Sequence, residues 1–345
     1  MQTPQETHFS RRLPEGAVLC TLCPQACRLQ EGERGLCRVR FRHGDKVCLS
    51  SYGQVSALAL DPIEKKPLYH FYPGALILSV GTVGCNLRCG FCQNWEIAHG
   101  EAPTEYLSPK NLVELADNYR ARGNIGLAYT YSEPLVWYEY VYDTARLARE
   151  KGLKNVLVTN GYLNPEPLRE LLPFIDAVNL DIKAWEDGFY RRHCEGRVGP
   201  VRKAAEIMAK MVHLEVTNLL IPGENDQEEE IRELVRFLAG LDRRIPLHFS
   251  RYFPHYQLEL PPTPLRVLEN AFKLAKEELH YVYIGNISAV DARTGYNRTN
   301  CPDCGQVLVE RAGFAARVTG VDQGRCSNCG REVDLVLPTE GDEER

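Results

Sequence analysis

The sequence has no long hydrophobic run. Its longest apolar stretches, such as Ala75–Val80, fall far short of the ~18 residues a membrane helix needs, and the opening MQTPQETHFSRR lacks the apolar core of a signal peptide. The expectation is a cytoplasmic protein with no membrane partner. Charge of one sign is also scarce. Lys and Arg number 41 against 46 Asp and Glu, a formal charge of −5, which disfavours a globally basic nucleic-acid binder. Apolar residues make up 44%, too many for a disordered chain. Cysteine is too sparse for a disulfide scaffold: thirteen in 345 residues, where such chains exceed roughly 8 to 10%. In a reducing compartment, clustered thiols bind metal instead.

What is present is unevenly placed. Eight cysteines precede residue 93, four follow residue 300, and Cys194 stands alone between them. This divides the chain into a Cys-rich N-terminal segment (1–65), a central core (66–292) and a C-terminal module (297–345). The length allows about two domains, or one barrel of ~200 to 250 residues with appendages. From Ala75 onward, short apolar runs alternate with amphipathic segments. The runs ALILSV, NIGLAYT, NVLVTN, AVNLDI, HLEVTNLLI, PLHFSRY and YVYIGN read as strands. Between them, segments such as PKNLVELADNYRARG and DQEEEIRELVRFLAG carry apolar residues at helical spacing, Leu112/Leu115/Ala116/Tyr119 and Ile231/Leu234/Val235/Leu238. About seven alternations imply an α/β fold with a parallel sheet, as a full or partial (β/α) barrel. The Cys85 loop, Glu133, Asn160, Asp181 and Asn286 all follow or end expected strands, the face on which parallel barrels build active sites.

Three cysteine groups carry metal-ligand spacing. Cys85-Asn-Leu-Arg-Cys89-Gly-Phe-Cys92 puts three thiols within eight residues; zinc in a closed site would want a fourth ligand, whereas three Cys on a 4Fe-4S cluster leave one iron open for substrate or cofactor. Cys20, Cys23, Cys27 and Cys37 suit either zinc or an auxiliary iron–sulfur cluster. Cys301-Pro-Asp-Cys304 and Cys326-Ser-Asn-Cys329 form paired knuckles of zinc-ribbon type, for which zinc is favoured and a mononuclear iron is the alternative. Cys48 reads as a strand residue and Cys194 as a buried inert thiol that could face the barrel mouth.

The CxxxCxxC run, with Phe91 just before its last Cys, resembles the radical SAM superfamily over roughly residues 70–290. The resemblance implies a 4Fe-4S cluster at Cys85, Cys89 and Cys92 that binds S-adenosylmethionine (SAM) and cleaves it reductively to a 5'-deoxyadenosyl radical, with an electron donor as partner. It further implies that Glu133, with Ser132 where the superfamily has glycine, receives the methionine ammonium. Thr159-Asn160-Gly161 and Asp181-Ile182-Lys183 resemble segments of glycyl-radical activating enzymes in which the Asp lies near the methionine carboxylate with a monovalent cation and the Lys reaches the ribose. An Asp of that cation site is Val158 here. Asn286 is a candidate adenine contact. CTLCPQACRLQEGERGLCRVR, the segment Asp61–Phe71, YTYSEP, NLDIKA and the terminal knuckles together resemble AmmeMemoRadiSam system radical SAM enzymes, kin of pyruvate formate-lyase activating enzymes. That similarity implies association with MEMO-type and AMMECR-type proteins and leaves the substrate open, a small molecule or a partner-held group. His70, Glu64 and Lys65 are candidates for the barrel entrance or for plain surface charge. The alternatives are a glycyl-radical activase and a zinc-stabilised regulatory or nucleic-acid-binding protein. The acidic composition of residues 301–345, five Arg against nine carboxylates, argues against nucleic acid as a partner.

Overall fold

Seven strands lie side by side in chain order, all parallel: Leu76–Gly81, Asn124–Tyr129, Lys154–Thr159, Ala177–Asp181, His213–Leu220, Leu247–Arg251 and Val282–Gly285. The computed structural model that shows this describes residues 5–288 and 295–338; the outer ends of the expected segments (1–4, 289–292 and 339–345) lie outside the described residues. An eighth strand, Ala57–Pro62, runs antiparallel beside Leu76–Gly81. The sheet is linear in its hydrogen bonding, with Ala57–Pro62 and Val282–Gly285 at its edges, so the barrel is partial.

Helices Pro109–Asn118, Tyr138–Glu150, Pro165–Leu171, Val198–Met211, Glu228–Leu241 and Leu265–Lys276 make the crossovers. Their starts are written locally. Ser108 caps the first by accepting from Asn111 N, with Pro109 at the first turn, where its missing N–H costs nothing. Leu112, Val113 and Ala116 bury the face that meets the sheet, while Leu115 and Tyr119 are half-buried. Ile231, Leu234, Val235 and Leu238 do the same on the long helix near residue 235. Strand and helix faces share one continuous apolar core.

The N-terminal end of the barrel is closed by polar chemistry. Glu215, fully buried, accepts from Tyr69 N (3.0 Å), His70 N (2.7 Å), His213 Nε2 (3.0 Å) and His248 Nε2 (2.7 Å). Its carboxyl is held well below the ordinary range because these bonds to His213 and His248 outweigh the opposing effect of burial. His70 continues the chain to Tyr283 Oη (2.6 Å) and the Asp334 carbonyl (2.6 Å). The C-terminal module packs here: Val336 pairs with Phe71, and Arg311 donates to the Tyr69 carbonyl, lies over the Tyr69 ring at 4.1 Å and faces Glu64 at 3.7 Å. Candidates Glu64 and His70 therefore sit in a buried plug at the end opposite the strand termini that carry the site. Lys65 reaches Asp61 (2.9 Å), which also holds Lys66 (2.7 Å) and Tyr131 Oη (2.6 Å). His70 is accounted for by partners far away in sequence, and Glu64 accepts from Gly74 N (2.9 Å) while facing the distant Arg311.

Candidate active site and metal centres

A cavity of about 270 Å³ opens at the carboxyl ends of the parallel strands. Its wall takes Cys85, Cys89, Phe91 and Cys92 from the loop after Leu76–Gly81, Thr130 to Glu133 from the next, Val158 to Asn160, then Asp181 with Lys183, Thr217 and Ser250. Six successive strands thus contribute to one space, as a parallel barrel dictates.

The cysteine loop is pinned on both sides. Gly84 N donates to Ile97 O (2.9 Å), Arg88 N to Cys194 O (2.8 Å), Gly90 N to His193 O (3.0 Å) and Gln257 N to Gly90 O (2.9 Å). Gly84 has φ +96, and a Cβ there would stand 2.6 Å from the Cys37 carbonyl; this position requires glycine on both counts. Asn160 Nδ2 donates to Cys85 Sγ (3.6 Å) and to Asn86 Oδ1 (3.0 Å). Burial pushes the Cys85 thiol well above the ordinary range, a hydrogen bond with Cys194 and burial raise Cys89, and burial raises Cys92 to about 11. Three such thiols become thiolates together only around a cation, so the donor set fits an iron–sulfur cluster.

Glu133 is 3% exposed. Its carboxylate accepts from Leu135 N (3.0 Å), Thr159 Oγ1 (2.6 Å) and Asn160 N (2.8 Å), tying two strand ends together and capping the short helix Pro134–Trp137. Burial raises its carboxyl to about 7. Three of roughly four lone-pair sites are taken, leaving one for a ligand. Ser132 lines the cavity and donates to the Thr82 carbonyl (2.6 Å). Lys183 and Asp181 face the cavity as an ion pair (2.8 Å). Burial alone would lower the Lys183 ammonium, yet Asp181 and the Cys89 sulfur hold it above its ordinary range. Asn286 is not among the lining residues; it has φ +58 and donates to the Arg251 carbonyl (2.8 Å). Five of the six expected cofactor residues thus meet at one cavity, and Asn286 stands outside it.

Other residues at the site lie outside the expected cofactor set, Cys194 among them, which the sequence places at the barrel mouth as an inert thiol. Cys194 is fully buried, ends a π-helical turn (Tyr190–Cys194) and meets Cys89. Thr217 and Ser250 line the far wall; inward-facing positions on the expected strands would have pointed to both. Trp95 stacks on Tyr256 (5.0 Å, 11°), joining the cysteine loop to the loop that follows Leu247–Arg251. No local signal announces that pairing.

The other two thiol groups differ in geometry. In the C-terminal module the Cys301–Cys329 and Cys304–Cys326 sulfurs lie 3.6 Å apart, and all four fall within 4.8 Å of one another. A single tetrahedral ion with metal–sulfur bonds of about 2.3 Å requires about 3.8 Å, so the set fits a metal-binding module. Cys20, Cys23, Cys27 and Cys37 line a separate cavity with Gly35, Arg40 and Asn86. Cys48 lies on the strand Lys46–Leu49, as expected.

A partial parallel barrel with three cysteines on its first carboxyl-end loop is the architecture of radical SAM proteins, and the family model for the radical SAM superfamily matches residues 79–238. The chain belongs to that superfamily. It is 42% identical to an uncharacterized protein of Methanocaldococcus jannaschii over 96% of this chain and all of that one. It is 29% identical to the pyruvate formate-lyase-activating enzyme of Clostridium pasteurianum, over 46% of this chain and 67% of that enzyme. The crystal structure of Streptococcus suis SuiB bound to precursor peptide SuiA shares the fold, with TM-score 0.50 and 17% identity over 68% of this chain and 53% of that one. No helix among the described residues is long and apolar enough to cross a membrane.

Proposed function

We propose that the protein is a radical SAM enzyme that abstracts hydrogen from a small molecule or from a partner-held group. The observation that carries this reading is the single cavity with three sulfurs on one wall and Glu133, Asn160, Asp181 and Lys183 on the others. When bound, a 4Fe-4S cluster with one open iron supplies the one-electron reductive cleavage of SAM to methionine and a 5'-deoxyadenosyl radical. Cys85, Cys89 and Cys92 hold that cluster, and Phe91, 4% exposed, screens it from water. The free lone pair of Glu133 accepts from the methionine ammonium, and Asn160 sets the Cys85 sulfur by its hydrogen bond. Lys183 holds Asp181 in place and presents a cation to the carboxylate and ribose end of the ligand.

Anaerobic reconstitution with iron and sulfide, then SAM and dithionite, tests this. Chromatography is expected to show 5'-deoxyadenosine in the wild type and none in Cys85→Ala, Cys89→Ala or Cys92→Ala; SAM cleavage retained in these variants removes the assignment. A second reading, a glycyl-radical activase, is favoured by the likeness to pyruvate formate-lyase activating enzymes. It requires a stable protein radical in a partner, visible by EPR after anaerobic mixing. The proposed setting is the cytoplasm, with MEMO-type and AMMECR-type proteins as candidate partners and zinc at the C-terminal knuckles.

A further inference from the structure

The four N-terminal cysteines surround one closed space. Cys20, Cys23 and Cys37 are buried and Cys27 is half-buried, and the Cys27 sulfur accepts from Leu36 N (3.5 Å). A backbone N–H donated to sulfur is the contact that supports a metal-held thiolate. Arg40 lines the same space and is 1% exposed. Its carboxylate partner, Glu139, takes Nη2, whereas Nη1 has no hydrogen-bond partner among the described residues. A buried guanidinium with one nitrogen unpartnered, in the wall of a space lined by four thiols, suits an anionic centre.

Size separates the candidates. A tetrahedral ion draws its sulfurs to about 3.8 Å of one another, as the C-terminal tetrad shows at 3.6 Å. Among the described residues, no three sulfurs of the N-terminal set lie mutually within 4.8 Å. The space they line, about 10 Å³, holds a water-sized sphere, which the interior of a single-ion tetrahedron does not. The wider cage matches a cubane, whose irons and sulfides stand between the thiolates.

We propose that Cys20, Cys23, Cys27 and Cys37 hold a second 4Fe-4S cluster. All four irons have protein ligands, so this centre is closed to SAM and substrate and its chemistry is one-electron transfer. It lies against the active site: Asn86 lines its space, and Asn86 Oδ1 meets Asn160 Nδ2, the donor to Cys85 Sγ.

The test is anaerobic loading of the full chain with iron, sulfide and zinc, followed by metal analysis and by EPR after dithionite. The wild type is expected to hold about eight irons, and the Cys85→Ala/Cys89→Ala/Cys92→Ala variant about four, with four labile sulfides and a signal that SAM does not alter. Conversely, Cys23→Ser/Cys37→Ser is expected to halve the iron and keep the SAM-sensitive signal. Two irons in the triple variant, zinc in place of iron, or four reactive thiols without metal each overturn the proposal. A wild type with no more than about four irons, all lost in the triple variant, overturns it too. Loss of SAM sensitivity in the wild type with iron retained in the triple variant defeats the radical SAM reading and leaves this one standing.

Discussion

Gly84 brings the Cys85 loop against the N-terminal cysteine segment at one atom. Its positive φ and the 2.6 Å that a Cβ would leave to the Cys37 carbonyl make any side chain there displace either the Cys85 loop or the segment carrying the N-terminal thiols. Gly84→Ala is expected to cost about 1–3 kcal/mol, read as a lower urea midpoint, and to reduce iron loading at the Cys85 loop. Glu133 gives a pH signature. Its carboxyl titrates at about 7 in the fold against about 4.3 in an unfolded chain, so the native state binds the proton more tightly. The associated stability is present below the unfolded value and is lost as pH rises through about 7. In metal-free protein, the stability of Glu133→Gln relative to wild type is expected to rise between pH 5 and 8 by a few kcal/mol at most, because each pH unit between the folded and unfolded titration points is worth about 1.4 kcal/mol. A flat difference in urea melts across that range would place the carboxylate in a more polar setting. The same variant is expected to weaken SAM binding about tenfold, followed by titrating the EPR signal of the loaded protein.

At the scale of elements, the chain order of the sheet was legible because each parallel strand reads as an apolar run of the right length and each crossover helix carries a 3.6-residue stripe. The strand Ala57–Pro62 was not. It lies at a sheet edge with Leu58 and Ala59 exposed, so neither alternation nor burial marks it. The base of the barrel was illegible for a different reason. Glu64 and His70 look like loop charges until Arg311, Glu215, Tyr283 and Asp334, more than 140 residues away, are brought beside them. Within the site, Glu133, Asn160 and Asp181 were legible because strand-end placement is a local signal, whereas Lys183 came only from the resemblance of Asp181-Ile182-Lys183 to activating-enzyme segments. Asn286 shares that placement, but its amide is spent on the Arg251 carbonyl. Glu215→Ala removes four hydrogen bonds at the base and leaves two backbone donors and two imidazoles without their acceptor; it is expected to cost about 3–5 kcal/mol. Calorimetry should show the lowered melting temperature, while iron loading at the Cys85 loop persists in the remaining folded protein.

Across the whole molecule, the C-terminal module carries a thiol set that fits a metal and forms part of the barrel's floor. The buried core of its own is small, Cys301, Leu308, Val309 and Cys326, so its fold is expected to depend on a bound ion. Cys301→Ser/Cys304→Ser, or a strong chelator, is expected to raise hydrogen exchange at His70–Tyr72, whose backbone partners include Val336. Unchanged protection there would mean the module docks without its metal. The two ends of the barrel therefore rest on separate supports: thiols at the mouth, a carboxylate–imidazole–guanidinium lattice at the floor. Oxygen attacks thiol-held iron at the mouth and, apart from the four thiols of the terminal knuckles, leaves the hydrogen-bonded lattice of the floor intact. Exposure to air should accordingly leave an emptied yet folded chain that iron and sulfide can recharge, so that oxidative damage ends in repair more readily than in proteolysis.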